Sequence, residues 1–361
     1  MKMKKWGKAI LFLLPVLFLV AAVNWYVDSY AMLRITYDQI GEQMAVHGRN
    51  VEGLEESDFN DRNLFLSCMK QQEGPRELIV AGSSRVMNFD HTMFGTDSFY
   101  NAGLSEATVY DLLAVTGVLA VEDKLPKTMV IGVDAFLFNK SHDNERWKDL
   151  YPYVNYMTVI LNGKFDEGNL HPQKNTGKDM GKWLSLDYFR YNVTLLPERK
   201  RFQVSYTDAW ESEKYLKHYD GSIAYQRELR EGDTQTVEEL TRQSMEEHVV
   251  YRLTDYEEID YKHWEHFRGV ITWLQEQGVE VILYLPPYSP MMYNYIESEE
   301  NFRIALEVER QVQELAKEQN IALYGSYDPA GCGLEMTDLY DIYHVKTDKM
   351  MDTFYLVIMP E

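Results

Sequence analysis

The stretch Glu77–Arg85, ELIVAGSSR, is the strongest indication of the fold. Its apolar run stops abruptly at Gly82 and two serines, as a short buried strand does at a tight turn. The pattern recurs further along the chain in KTMVIGVDAF (127–136), VEVILYLPP (279–287) and IALYGS (321–326). These runs are continuously apolar, which is typical of strands buried on both faces of a parallel sheet.

Amphipathic segments alternate with these strands. They are rich in helix-forming residues, and one of them ends at Gly278, a residue type that often follows the last turn of a helix. The segments are 104–123, which follows a turn at Gly103, then 261–278 and 301–320. Strands that alternate with helices predict an α/β fold, a three-layer doubly wound parallel sheet of the flavodoxin-like type with helices on both faces.

The alternation breaks down between about residues 140 and 255. This interval is charged and aromatic and has no clear strand–helix repeat. We therefore expect a large, mostly helical insertion after the third strand, KTMVIGVDAF, where the short strand pattern of SFYNAG (98–103) counts as the second strand. Residues 29–75 read as a polar connector, and residues 76–361 as one catalytic domain that carries the insertion. Functional groups of such domains collect beyond the carboxyl ends of the strands. Five segments occupy these positions: Gly82–Ser84, Asn101–Gly103, Gly132–Asp134, Pro286–Pro290 and the segment that follows the last strand.

Residues 1–28 are predicted to form a transmembrane anchor. Four lysines precede or flank the start of an uncharged run from Ala9 to Val23, and Trp6 and Trp25 stand at its two ends. A helix between the tryptophans rises about 28 Å, close to the ~30 Å of a bilayer core, with its basic tip in the cytoplasm. The alternative is a cleaved signal peptide, because Val20–Ala22 resembles a cleavage site. Either interpretation exports the body of the protein.

Composition bears on partners and cofactors. The chain has 57 acidic and 36 basic residues and a formal charge of −21, so it repels phosphate backbones and no nucleic-acid partner is expected. Cys68 and Cys332 form either one bridge outside the cell or two free thiols. His263 and His266 lie three residues apart without an evident third ligand, so a solvated helix face is expected there. No metal and no organic cofactor is predicted.

Three polar residues have the chemistry of acyl transfer. Ser84 follows the first strand in a tight turn, where a serine is either a nucleophile or a helix cap. In DLYDIYHVKTD (338–348), Asp341 precedes His344 by three residues. At that spacing the carboxylate can accept the Nδ1 proton of the imidazole and leave the other nitrogen free as a base. The sequence therefore predicts Ser84 as nucleophile, His344 as general base and Asp341 as the carboxylate that orients it.

Four blocks, GSSR, YNAGLS, VIGVDAF and DLYDIYH, resemble in order and spacing those of the SGNH (GDSL-like) hydrolase superfamily. The resemblance extends from about residue 76 to 355, apart from the insertion. It implies that Ser84, Asp341 and His344 form the catalytic triad. It also implies that the backbone N–H groups of Ser84 and Gly103 form the oxyanion hole.

Two positions depart from the family pattern. Ser83 stands where the first block usually has Asp, a tolerable change. Asp134 stands where the third block usually has an asparagine that donates to the oxyanion, and an ionised carboxylate cannot donate. Asn101 and Asn139 are candidates to replace that donor; otherwise Asp134 only holds the site together.

The predicted anchor adds a resemblance of architecture. The chain is similar to envelope-facing SGNH proteins, such as the membrane-bound D-alanyl transfer proteins of teichoic-acid modification and the polysaccharide O-acetyl transferases and esterases. We therefore expect an extracytoplasmic serine esterase or O-acyltransferase that acts on acyl groups of cell-envelope polymers, with a membrane acyl-transfer protein as a further partner. The alternative is a catalytically weak relative that binds envelope polysaccharide or such a partner. The many tyrosines and tryptophans either line a sugar-binding groove or pack internally, and the turn Pro286–Pro290 is expected to shape the acyl pocket.

Overall fold

The computed structural model describes residues 3–27, 36–54, 60–142, 144–162, 183–196 and 204–360, without the side chains of residues 3–12 and 195. The helices are α1 Met3–Val27, α2 Tyr37–Ala45, α3 Asp61–Gln71, α4 His91–Phe94, α5 Val109–Val121, α6 Tyr151–Asn162, α7 Leu186–Leu195, α8 Arg227–Arg230, α9 Thr234–Glu246, α10 Tyr261–Glu276, α11 Pro290–Ser298, α12 Ile304–Glu318 and α13 Met350–Thr353. The strands are β1 Asn50–Glu52, β2 Leu78–Gly82, β3 Phe99–Gly103, β4 Thr128–Gly132, β5 Ser205–Thr207, β6 Leu216–Lys217, β7 Ile223–Ala224, β8 Glu280–Leu285, β9 Ala322–Gly325 and β10 Leu356–Ile358.

The main sheet has six strands in the order β10-β9-β8-β4-β2-β3. Strands β3, β2, β4, β8 and β9 are parallel, and β10 joins the edge in the antiparallel direction. The predicted α/β fold with a mostly parallel sheet is thus confirmed, and the antiparallel edge strand makes the sheet mixed. The strand order reverses between β2 and β4, and the crevice at such a switch point is where doubly wound folds bind ligands.

The two faces of the sheet are covered differently. On one face α5 contacts β2, α10 contacts β8 and α12 contacts β9. On the other face, Val80 and Val130 pack with Phe89, Leu339 and Met350, which belong to short helices and turns. Both faces are buried, as the continuously apolar strands predicted, but the second covering layer is thinner than expected. The connection from β2 to β3 is too short for a long helix and contains the 3₁₀ helix Ser84–Val86 and α4.

The insertion contributes strands as well as helices. Its segments β5, β6 and β7 join β1 of the connector in a small antiparallel sheet of order β5-β1-β6-β7. The hairpin Leu216–Ala224 docks on the edge of the main sheet, where Asn101 N donates to Asp220 O at 2.7 Å and Ile223 N donates to Met87 O at 3.1 Å. The insertion therefore reaches the carboxyl end of β2.

Gly221 permits this docking. Its φ of +82° lies in the left-handed region, and a Cβ at this position would stand 2.2 Å from the carbonyl oxygen of Asn101. Only glycine combines that backbone conformation with so close an approach. The position of the hairpin thus depends on a single residue without a side chain.

Helix α1 packs against α7, and Asn24 Nδ2 donates to the carbonyl oxygens of Trp183 and Ser185 at 3.0 and 3.1 Å. Among the described residues, no helix has the length and apolar character that a membrane crossing requires. The anchor over residues 1–28 stays a prediction, and residues 1, 2 and 28 lie outside the described residues.

Cys68 and Cys332 are both free thiols, which decides between the two alternatives for the cysteines. Cys68 is fully buried in the core, where burial raises its pKa to about 11. Cys332 is partly exposed in the turn after β9.

Candidate active site

Ser84 lies directly beyond the carboxyl end of β2, at the switch point of the sheet. The two serines of the turn have separate tasks: the Ser83 hydroxyl accepts a hydrogen bond from Arg85 N at 3.2 Å and caps the short 3₁₀ helix Ser84–Val86. Since Ser83 does the capping, the Ser84 hydroxyl is available for another partner.

That partner is His344. The Nε2 atom of His344 lies 2.8 Å from Ser84 Oγ, and its Nδ1 lies 2.8 and 2.9 Å from the two carboxylate oxygens of Asp341. A carboxylate only accepts hydrogen bonds, so it selects the tautomer with the proton on Nδ1 and leaves Nε2 to accept the Ser84 hydroxyl proton. The three residues predicted from the sequence therefore lie together in one hydrogen-bonded chain.

The turn around Asp341 fixes this geometry. Asp341 Oδ1 accepts hydrogen bonds from the backbone amides of Tyr343 and His344 at 2.8 and 2.9 Å. Burial opposes ionisation of the Asp341 carboxyl, but attraction to His344 and these hydrogen bonds outweigh it, so its pKa lies below the ordinary value. Asp341 is therefore held in the charged form that orients the imidazole.

A side-chain amide connects the turn that contains His344 to the turn that contains Ser84. Asn88, four residues after Ser84, donates from Nδ2 to Val345 O at 2.9 Å in a buried position. Tyr340 N donates to His344 O at 2.8 Å and closes the turn on its other side. The contact between Ser84 and His344 is thus supported by hydrogen bonds on both sides of His344.

Asp134, the departure from the family pattern, has a clear partner. Its buried carboxylate accepts from the Arg85 guanidinium at 3.0 Å. Arg85 also donates to the carbonyl oxygens of Pro286 and Pro287 and lies over the Tyr288 ring at 4.6 Å. Arg85 therefore clamps the carboxyl ends of β2, β4 and β8 around Ser84, and Asp134 neutralises its buried charge.

The oxyanion donors expected from the resemblance are mostly engaged elsewhere. The Gly103 amide donates to Asn101 Oδ1 at 2.9 Å, and Asn101 Nδ2 donates to the carbonyls of Val86 and Phe89. Asn139 Nδ2 donates to Arg252 O at 2.8 Å. Within the described part of the chain, the Ser84 amide makes no hydrogen bond. It is the one expected donor that is free to meet an oxyanion.

Two cavities flank the Ser84–His344 contact. We call the first the aromatic pocket: it has a volume of about 180 Å³, and its walls include the rings of Phe136, Tyr251, Tyr288 and Tyr343. We call the second the polar cleft: it has a volume of about 440 Å³ and is lined by Leu54, Asp61, Ser84, Met87, Ser105, Glu106, Arg146, Tyr215, Lys217, Ile223, Tyr225, Leu229, Asp341 and His344. Tyr288 belongs to the turn Pro286–Pro290 that was expected to shape the acyl pocket.

Glu106 separates the two cavities and was not expected from the sequence. It lines both of them, and its backbone has a φ of +53°, which is uncommon for a residue with a side chain. Its carboxylate accepts from the Tyr251 hydroxyl at 2.9 Å and from Arg252 at 3.3 Å. A turn residue of this kind has no sequence signal, whereas Arg85 stands beside the predicted nucleophile and was detectable.

The insertion supplies one wall of the polar cleft. Tyr215, Lys217 and Tyr225 come from the hairpin region that docks on Asn101, and the Tyr225 ring centre lies 5.7 Å from that of His344. This agrees with the alternative in which insertion tyrosines line a groove. Other tyrosines, such as Tyr284 and Tyr327, are fully buried in the core.

The HWEH histidines do not form a solvated helix face, as had been expected. His266 is buried and His263 is half-buried, and both rings contact the Tyr110 ring at centroid distances of 5.9 and 5.5 Å. The helix turns this face inward because Phe267 and Val270 beside it belong to the core. Among the described residues there is no cluster of metal-ligating side chains.

Comparison with known proteins assigns no family to this chain: no family model matches it, and no curated protein matches it. The functional argument therefore depends on the geometry of the residues described above.

Proposed function

We propose that this chain is a serine esterase or O-acyltransferase that acts on ester-linked acyl groups through Ser84, His344 and Asp341. One observation carries the proposal: Ser84 Oγ lies 2.8 Å from His344 Nε2, at the mouth of two cavities, while Asp341 holds Nδ1. This distance permits direct proton transfer from the hydroxyl to the imidazole.

The reaction proceeds in two halves. As Ser84 Oγ attacks the acyl carbon, its proton passes to His344 Nε2, and the carbonyl electrons move to the oxygen. When the tetrahedral intermediate collapses, His344 returns the proton to the leaving alcohol, and the acyl group remains on Ser84. Water or a second alcohol then attacks, His344 takes its proton and gives it back to Ser84 Oγ. Water makes the protein an esterase, and a sugar or alditol hydroxyl makes it an acyltransferase.

The two cavities suit different parts of an ester substrate. The aromatic pocket is small and lined by rings, so it suits a short acyl group. The polar cleft is larger and carries charged and hydroxyl groups, so it suits the alcohol part of the ester, such as a sugar unit. Both reach Ser84 and His344. The Ser84 amide is the oxyanion donor in this scheme, and Arg85 is a positioning residue.

The resemblance to SGNH hydrolases, the strand order of the sheet and the apolar N-terminal segment support a fuller proposal. In it, the chain is an SGNH-type protein anchored by residues 1–28, with its body on the extracytoplasmic side, or secreted if that segment is cleaved. Its substrates are acylated envelope polymers or polysaccharides, a membrane acyl-transfer protein is a partner, and no nucleic acid or cofactor takes part.

A fluorophosphonate probe tests the nucleophile. We expect it to label the wild type and the Ser83→Ala variant but not Ser84→Ala. Ser83 is the matched control because it is the neighbouring serine and only caps the helix. Equal labelling of Ser83→Ala and Ser84→Ala would reject the proposed nucleophile.

A specific observation favours the second candidate, a catalytically weak binding protein. The Gly103 amide donates to Asn101, and Asp134 is paired with Arg85, so a single amide remains for the oxyanion. Loss of one oxyanion donor costs about a hundredfold or more in rate. Hydrolysis of a short acyl ester that disappears in His344→Ala would reject this candidate. Glycan binding without turnover, unchanged by Ser84→Ala and His344→Ala, would support it.

A further inference from the structure

Lys217 is a buried lysine that forms no ion pair with any residue that the structure describes. Its exposed fraction is 5%, although it lies at the end of strand β6 and lines the polar cleft together with Ser84 and His344. Within the described part of the chain its ammonium group makes no hydrogen bond and no ion pair. Lysine is almost never this buried unless it is paired.

The other charges of the cleft are compensated. Three carboxylates that line it have basic partners at 2.7 to 3.3 Å: Asp61 with Arg62, Asp341 with His344 and Glu106 with Arg252. Asp61 attracts Lys217 only from beyond ion-pair distance, and the Asp61 carboxylate is already shared by Arg62 and the Ser105 amide. Arg146, the other lining cation, lies 4.0 Å from Asp61. The uncompensated charge beside the nucleophile is therefore that of Lys217.

Lys217 is both desolvated and held in a fixed position. Burial lowers the pKa of Lys217 more than the attraction of Asp61, Cys68 and Asp220 raises it, because the charged form loses its hydration. The lysine is also held rigidly: the hairpin that carries it is fixed to β3 through Asn101 and to the connector through Asn50, whose Oδ1 accepts from Tyr219 N at 2.9 Å. A rigid, desolvated and unpaired cation at a cleft is pre-organised for an anionic ligand.

We propose that Lys217 binds an anionic group, a carboxylate or a phosphate, on the alcohol part of the substrate. The inference rests on the proposed function, and it narrows the substrate class from acyl esters in general to acyl esters of anionic sugars or alditols. The anion enters the polar cleft, accepts hydrogen bonds from the Lys217 ammonium and aligns the neighbouring ester with Ser84.

A matched series of esters tests the proposal. We would compare mono-O-acetylated methyl glucoside, methyl glucuronide and methyl glucoside 6-phosphate, acetylated at the same hydroxyl, so that only the charge and its source differ. For the wild type we expect a kcat/KM for at least one anionic ester about tenfold or more above that for the neutral ester, as a charge-assisted pair provides. Whichever anionic ester has the higher kcat/KM shows whether Lys217 prefers a carboxylate or a phosphate.

Variants at position 217 locate the effect. Lys217→Met should remove the preference, so that the anionic esters react no faster than the neutral ester, and Lys217→Arg should retain a large part of it. Lys214→Met, on the same segment but outside the cleft, is the matched control. Thermal unfolding of Lys217→Met should be unchanged or shifted upwards, because an unpaired buried charge is removed. Equal kcat/KM for all three esters, or a preference that survives Lys217→Met, would overturn the proposal.

A binding measurement separates this inference from the proposed function. The Ser84→Ala variant would be titrated by calorimetry with the three sugars lacking the acetyl group. Tighter binding of an anionic sugar, lost in Ser84→Ala/Lys217→Met, supports the anion site even if the wild type neither turns over any ester nor reacts with the probe. Equal binding of the neutral and anionic sugars refutes the anion site, whatever the outcome of the turnover assays.

Discussion

Two clusters of serine, histidine and aspartate lie among the described residues, and they differ in the order of their hydrogen bonds. In the cluster at Ser84 the histidine lies between the carboxylate and the serine. In the hairpin, the serine lies in the middle: Ser222 Oγ donates to Asp220 Oδ1 at 2.6 Å and contacts His218 Nδ1 at 2.7 Å. The same residue types are therefore arranged in two chemically different ways.

The two clusters also differ in how accessible their side chains are to a substrate. Ser84 and His344 border two cavities, whereas Ser222 is fully buried and the Trp210 ring stacks on His218 with centroids 3.8 Å apart. The hairpin cluster has no room for a substrate and instead connects Asp220 to His91 at 2.9 Å. Residue composition alone thus does not define a catalytic site; the histidine must lie between its partners, and the hydroxyl must reach a cavity.

The two serines give the largest expected difference. Ser84→Ala should lower kcat for acyl-ester hydrolysis by about four orders of magnitude or more, since the nucleophile is lost. Ser222→Ala should leave kcat close to the wild-type value but lower the free energy of unfolding by about 1–3 kcal/mol, because it leaves buried partners unsatisfied. Steady-state kinetics and urea denaturation measure both. A large loss of kcat in a folded Ser222→Ala variant would contradict the distinction between the clusters.

The two carboxylates give the next difference. Asp341→Asn should reduce kcat by about ten-thousandfold, because an amide no longer holds the correct imidazole tautomer, whereas Asp220→Asn should chiefly reduce stability. The pKa of Asp341 lies below its ordinary value of about 3.9. Its charge therefore stabilises the folded state above that pH, and this contribution disappears as the pH falls through the folded-state pKa. The stability difference between wild type and Asp341→Asn should shrink below about pH 4; a difference that grows there would contradict the assignment.

Gly221→Ala should destabilise the hairpin cluster without touching the Ser84 cluster. The added methyl would stand 2.2 Å from Asn101 O at a φ of +82°, so we expect a loss of about 3 kcal/mol or more in the free energy of unfolding. Gly74→Ala is the matched control, since its φ is +69° but no atom lies within 4 Å of the added methyl. Equal effects of the two substitutions would show that only backbone conformation matters.

The smallest expected effect is a pH dependence at His91. Its hydrogen bond to Asp220 raises the pKa of His91 more than burial lowers it. The stabilisation is therefore fully present below the ordinary histidine pKa of about 6.5 and is lost as the pH rises through the folded-state value. The stability difference between wild type and His91→Gln should be larger at pH 6 than at pH 8.5 in urea denaturation. The exposed His47, as His47→Gln, is the control, and a pH-independent difference for His91→Gln would contradict the pairing.

The sheet and the Ser84 cluster were predictable because their signals are local. Continuously apolar runs mark β2, β4, β8 and β9, and the three-residue spacing of Asp341 and His344 is itself the geometry of the turn. The pairing of Arg85 with Asp134 was also predictable from the sequence, since both residues follow neighbouring strands of one sheet. Residues that follow the carboxyl ends of neighbouring parallel strands lie close together, and this applies to Arg85 and Asp134 as well as to the nucleophile.

Lys217 and Glu106 were not predictable in this way. Strands β6 and β7 have two residues each, too few for any period, and their position depends on pairing with β1, more than 150 residues earlier in the chain, and on docking at Asn101. Glu106 depends on a left-handed turn that no glycine or asparagine marks. The engagement of the Gly103 amide by Asn101 likewise follows from side-chain packing that a motif does not encode.

The buried bond from Asn88 to the carbonyl of Val345 has a consequence for heat inactivation. It spans 257 positions of the chain, so the imidazole keeps its place only while the last short helices stay docked on the sheet. Those helices are short and belong to the thinner of the two layers that cover the sheet. They are therefore suited to detach as a unit while the strands remain paired. Warming would then abolish catalysis before the circular dichroism of the core changes, and cooling would restore it without refolding of the whole molecule.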